Sequence, residues 1–186
     1  ANGTADPTDD TGAFSNVEPY YDAYQHTISK GSLRFEKNNA VSAGNVPIDV
    51  NNVNLGAFGL EAKGEAVQIS SFKITWTLSA GEDGTQMDNV AIYDKDDKVM
   101  AGPKDVGSDE TVTFTDTWTI PTGYNVYKVK GKLTTDFEDA DTLSGAVDPD
   151  GDITAKGEVT GLTLTASPAT SQSMNTMTVR GASLKV

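Results

Sequence analysis

The sequence predicts an all-β domain built as a two-sheet antiparallel sandwich. Apolar residues recur with period two in run after run, and clusters of Gly, Asp, Pro and Ser bound the runs. No window offers a capped helical face, and no βαβ rhythm points to a parallel sheet. The chain has 186 residues, 37% of them apolar. That length suits one domain plus an extension, since a domain of roughly 150 residues hides about 68–70% of its unfolded surface.

The first element is not a strand of that core. Residues 1–30 hold five acids (Asp6, Asp9, Asp10, Glu18 and Asp22) and no Lys or Arg before Lys30. The first half is rich in Gly, Thr, Asp and Pro, a composition that cannot build a core alone. The second half carries Tyr20, Tyr21, Tyr24 and Ile28. Tyr20, Tyr24 and Ile28 are spaced by four and share one side of an extended strand, or one face of a short helix. The segment reads either as a tail without structure of its own or as an arm that orders against another subunit. The division is therefore an N-terminal arm, 1–30, and a sandwich, 31–186.

From Gly31 the strands follow in order. Leu33 and Phe35 alternate, then Phe58, Leu60 and Ala62. In the run 67–78 the apolar positions are Val67, Ile69, Phe72, Ile74, Trp76 and Leu78, so the alternation changes phase at Ser70-Ser71, as an inserted β-bulge residue would cause. Val90 and Ile92 lead to a turn at Lys95-Asp96-Asp97-Lys98, and Val99 begins the return. Val112, Phe114, Trp118 and Ile120 alternate against five threonines. Tyr127, Val129 and Leu133 follow the turn Pro121-Thr122-Gly123. Leu162, Leu164 and Ala166 come next, and Met177, Val179, Leu184 and Val186 close the chain. Many β-branched residues and polar Thr and Lys between the apolar positions fit sheets with one wet face.

The order of these pieces resembles the immunoglobulin-like sandwich modules of secreted surface-layer-like and filament proteins of bacteria and archaea. The resemblance rests on residues 53–62, 67–69, Ile92-Tyr93-Asp94 and the Thr119-to-Gly123 turn. It also rests on similar Ser-Leu strands at the two ends of the domain, Ser32-Leu33-Arg34-Phe35 and Ser183-Leu184-Lys185-Val186. It implies an Ig-like antiparallel β-sandwich, a place outside the cell or at its surface, and identical subunits as partners. The expected assembly is a head-to-tail homopolymer in which an extended segment adds to a neighbour's sheet edge. The arm is the expected donor, with Tyr20, Tyr24 and Ile28 at the subunit interface. A start at Ala1 without an initiator Met reads as a mature secreted form in preference to a trimmed one.

Composition narrows the functions. Fourteen Lys and Arg against 27 Asp and Glu, a formal charge of −13, give no footprint for nucleic acid or anionic lipid. No apolar run approaches the ~20 residues of a membrane helix. With no cysteine there is no disulfide scaffold, thiol nucleophile or cysteine zinc site, and His26 is the one histidine. No Gly-Xaa-Ser-Xaa-Gly elbow and no phosphate loop is present. Carboxylates sit on turns, apart from Asp116, which falls in phase with Phe114 and Trp118 and reads as an inward acid, a bulge or an edge residue. An enzyme is not expected.

Two binding sites remain as expectations. Seven acids and no Lys or Arg occupy 136–152. Within that stretch Asp148-Pro149-Asp150-Gly151-Asp152 has the alternating oxygen ligands and sharp turn that suit Ca²⁺, and also the composition of a solvated acidic turn. The spacing is not that of an EF-hand. Asp148, Asp150 and Asp152 are the candidate ligands and calcium the candidate cofactor. The alternative to a filament subunit is a monomeric adhesive or carbohydrate-binding module with glycans as partners. Trp76 and Trp118 would be its platforms, but both lie in phase with apolar neighbours and read better as core. Tyr124 and Tyr127 remain as exposed candidates, and Asn2-Gly3-Thr4 is an N-glycosylation sequon.

Overall fold

The computed structural model describes residues 29–79 and 81–181. Tyr20, Tyr24 and Ile28, and likewise Leu184 and Val186, lie outside the described residues. The strands are β1 (Ser32–Lys37), β2 (Gly44–Pro47), β3 (Val53–Lys63), β4 (Val67–Leu78), β5 (Met87–Tyr93), β6 (Val99–Lys104) and β7 (Thr111–Phe114). They continue with β8 (Trp118–Ile120), β9 (Gly123–Leu133), β10 (Thr142–Val147), β11 (Ile153–Gly157), β12 (Thr163–Leu164), β13 (Ala166–Ser167), β14 (Gln172–Ser173) and β15 (Met177–Arg180). A single helical turn, α1 (Pro149–Asp152), joins β10 to β11.

Two sheets pack face to face. The first has the order β13-β1-β3-β9-β5-β6. The second is centred on β4, whose register pairs it with β7 and β8 along one edge and with β10 and β11 along the other. Each flanking pair is one strand path interrupted, by residues 115–117 in one case and by α1 in the other. Pairing is antiparallel except at the margins, where β1 with β13 and β15 with β2 run parallel. The sheets are therefore mixed rather than purely antiparallel.

Period two decides which side chains meet. Along β4, Val67, Ile69, Phe72, Ile74 and Trp76 are buried, and the ladder passes from Thr154 opposite Ser71 to Ala155 opposite Ile69. Ser70 is thus the extra residue, and the phase change expected at Ser70-Ser71 is a bulge. Phe58 of the first sheet stacks on Phe72 of the second at 5.0 Å, on Phe35 at 5.2 Å and on Tyr127 at 5.6 Å. Trp118 adds to the column at 5.9 Å from Phe72. Trp76 and Trp118 are buried, as core residues should be. Leu162 departs from its expected place: it is 51% exposed, because the chain turns at Gly161 (φ +67°) before β12 begins.

The margins are closed by different means. On one side β12 lies in the second sheet and β13 in the first, so the chain crosses between layers at Thr165. On the other side β6 and β7 are bridged by side chains. Lys104 Nζ donates to the Thr113 carbonyl at 2.9 Å, and Asp116 Oδ2 accepts from the Gly102 amide at 2.9 Å. Asp116 is an exposed edge residue, not an inward acid.

The aromatic column predicts a large cost for breaking it. Phe72→Ala removes the ring that joins the two sheets, and equilibrium denaturant unfolding should register a loss of about 3–5 kcal/mol. A loss below ~1 kcal/mol would mean that the column is not what couples the layers.

Candidate functional site

A buried carboxylate fixes the entry to β1. Gly31, buried just before β1, donates its amide to Glu65 Oε1 at 3.0 Å. Glu65 sits in the turn between β3 and β4 and is the charged residue found buried in the core among the described residues, 6% exposed. Its other oxygen accepts from the Val159 amide at 2.8 Å and the Thr160 amide at 2.9 Å, and the Thr160 hydroxyl donates to Oε1 at 2.7 Å. One carboxylate therefore ties the start of β1, the β3–β4 turn and the loop after β11. The Thr160 amide above all, with the Thr160 hydroxyl and the Gly31 amide, holds its pKa down at about 2. Neighbouring backbone gives it room: a Cβ on Gly157 would overlap the carboxylate, and one on Gly31 would stand 2.8 Å from Glu65 Cγ.

Sequence reasoning missed this residue. Glu65 follows Gly64 in what reads as an ordinary polar turn. Its partners are mainly backbone amides far along the chain, which leave no trace in periodicity or charge pattern.

The acidic stretch 136–152 is dispersed by the fold. Asp139 faces Arg180 at 3.3 Å. Asp141 accepts from the Glu138 amide at 2.7 Å and the Ser79 hydroxyl at 2.9 Å, which keeps its carboxyl below the usual range. Asp148, Asp150 and Asp152 do stay together around α1, but in unequal settings. Asp152 accepts from the Asp148 amide at 2.8 Å and pairs with Lys73 Nζ at 2.7 Å. Asp150 is exposed. Burial, then repulsion from Asp150, pushes the Asp148 carboxyl up, and its Oδ1 is buried without a hydrogen-bond partner. Lys73, raised by its hydrogen bond to Asp152, supplies the positive charge of the turn. As they stand, no three acidic or histidine side chains among the described residues form a ready-made metal-binding group.

The tryptophans cannot serve as sugar platforms, since both are enclosed in the core and neither indole nitrogen has a hydrogen-bond partner. Of the two tyrosines, Tyr127 is buried and Tyr124 stands 46% exposed on β9. Among the described residues no helix is long and apolar enough to cross a membrane. No family model matches the chain, and no curated protein matches it.

Two outcomes follow from this geometry. Glu65 has a folded pKa of about 2 against an ordinary 4.5, so its stabilisation is complete above the ordinary value and is lost as pH falls towards the folded one. Thermal unfolding of the native chain should drop across that interval, and Glu65→Gln, less stable at neutral pH, should flatten the dependence there. Lys73→Met strands the nearly buried Asp152 carboxylate. Chemical unfolding at neutral pH should show a loss of about 1 kcal/mol, shrinking as acid neutralises the carboxylates.

Proposed function

We propose that the chain is a structural subunit of an extracellular filament or cell-surface layer, built head-to-tail from identical copies. The sandwich is read as Ig-like, and the arm, residues 1–30, as the strand that one copy donates to the next. The observation that carries this reading is the edge of β1. β13 pairs with it only at Leu33 and Arg34, while residues 35–37 have no ladder partner on that side among the described residues. A cavity of about 350 Å³ opens there beside Ser167, Pro168 and Gln172. An unpaired strand edge is a template for a further strand: backbone hydrogen bonds supply affinity and alternate side chains enter pockets.

Glu65 supports the same reading from the other end of the strand. Its bond to the Gly31 amide fixes where the chain joins the domain, so the segment before it starts from a defined point. Tyr20, Tyr24 and Ile28 are the side chains that would face the neighbour. Buried large apolar groups of this kind stabilise an interface by roughly 1.5–3 kcal/mol each. Calcium belongs to the proposal as a counterion, because a charge of −13 per copy opposes dense packing. At α1 an ion would have to compete with Lys73 for Asp152, alongside Asp148 and Asp150.

Negative-stain electron microscopy tests the reading, with and without millimolar Ca²⁺. The full chain should form filaments. The full-length variant carrying Tyr20→Asp, Tyr24→Asp and Ile28→Asp should remain as single particles with an unchanged circular dichroism spectrum. Filament mass that rises with Ca²⁺ would support the counterion role. Single particles from the native chain under every condition would overturn the proposal, as would filaments from the triple variant.

A further inference from the structure

The loop between β11 and β12 holds two large apolar side chains in solvent: Val159 is 84% exposed and Leu162 51%. Gly, Asn, Asp and Ser are the usual residues of such turns. An apolar residue exposed singly is ordinary, but two on one short loop are a surface to be covered. The fold itself uses neither side chain. Val159 gives its amide to Glu65 Oε2 at 2.8 Å. Leu162 gives its amide to the Thr160 hydroxyl at 3.3 Å and its carbonyl to the Gly157 amide at 2.9 Å.

The backbone beneath them is tied down on several sides. The Glu158 amide donates to the Ala66 carbonyl at 2.9 Å, and the Glu158 carboxylate accepts from the Thr119 hydroxyl at 2.7 Å. The Gly161 amide closes on the Gly157 carbonyl at 3.0 Å. A contact with side chains presented on a fixed backbone avoids the cost of ordering that backbone on docking.

The arm joins the domain at the same place. The Gly31 amide and the Thr160 hydroxyl donate to one oxygen, Glu65 Oε1, at 3.0 and 2.7 Å. Ser29 and Lys30, which precede Gly31, are exposed. Ile28 comes next, and of the apolar residues of the arm it stands nearest to Gly31 in sequence. Three residues of extended chain span at most about 10 Å. Ile28 is therefore within reach of Val159 and Leu162, which lie on either side of Thr160 in the loop.

We propose that Val159 and Leu162 are a seat for the arm of their own chain, with Ile28 packed against both. The contact belongs to a single copy and holds whether or not copies of the chain polymerise. Where the arm is donated, Ile28 has to leave this seat for the neighbour. The loop then acts as a brake on strand exchange, keeping the donor parked until an acceptor edge competes for it.

The test is methyl NMR of the dilute full chain, isotope-labelled at its Ile, Leu and Val methyl groups. Nuclear Overhauser contacts should connect the Ile28 methyls to those of Val159 and Leu162. The double variant Val159→Ser, Leu162→Ser keeps both backbone amides for the clamp. It should move the Ile28 methyl signals to the positions of an unstructured isoleucine while the Gly31 amide signal stays in place. Conversely, Ile28→Ser should shift the Val159 and Leu162 methyls, and Val99→Ser, an exposed site on β6, should leave Ile28 unchanged. Absence of the contacts, or Ile28 signals indifferent to the double variant, would overturn the proposal. So would contacts found only between differently labelled copies in a mixture, which would assign the seat to a second chain. None of these readouts depends on whether filaments form.

Discussion

The contact between Phe58 and Phe72, 5.0 Å between ring centroids, joins the two layers at their middle. Phe58 lies on β3, which pairs with β1 and β9, and Phe72 lies on β4, which pairs with four strands. β4 is therefore the hub of its sheet and β3 an interior strand of the other, and the rings dock one on the other. The bulge at Ser70 serves that contact. Without the extra residue, either the Val67–Ile69 half or the Phe72–Trp76 half of β4 would turn its apolar side chains outward.

Much of this was legible because period two is a local signal. Leu33 and Phe35, the β5–β6 turn, and the phase change in β4 each follow from residues that are neighbours in sequence. The strands that escaped notice are β2, β10, β11 and β14. β2 and β14 are two to four residues long, too short for an alternation to be seen. β10 and β11 flank the acidic α1 turn and place Gly145, Ala155 and Gly157 at buried positions, where small residues hide the alternation. The interruption at residues 115–117 is hidden for another reason. Phe114 and Trp118 remain in phase across the gap, so the pattern continues while the ladder does not. Glu65 lay beyond reach because a charged residue after glycine has the composition of any solvated turn. Tyr124 was visible as a candidate, but the groups that hold its ring, Gly59 and Asn38, belong to distant segments.

The charge count misleads when taken as a surface property. Seven acids between 136 and 152 look like one electronegative patch, yet the fold gives three of them separate partners: Arg180 for Asp139, Ser79 and the Glu138 amide for Asp141, and Lys73 for Asp152. The single stretch becomes a set of local braces, with α1 as the place where like charges still crowd. The same economy governs the margins of the sandwich. Lys104 and Asp116 occupy edge backbone groups between β6 and β7, whereas β1 beyond Arg34 has no such cover among the described residues.

The Glu65 clamp has an implication for how this fold tolerates change. A carboxylate that binds mostly amide hydrogens is indifferent to the side chains that its partners carry, so the clamp itself leaves Val159, 84% exposed, free to vary. What the clamp does demand is absence of bulk: Gly31 and Gly157 stand where a methyl group would collide with it. A glutamate and two glycines, scattered across three segments, therefore act as one unit: added bulk at either glycine is felt at the carboxylate, and through it at all three segments.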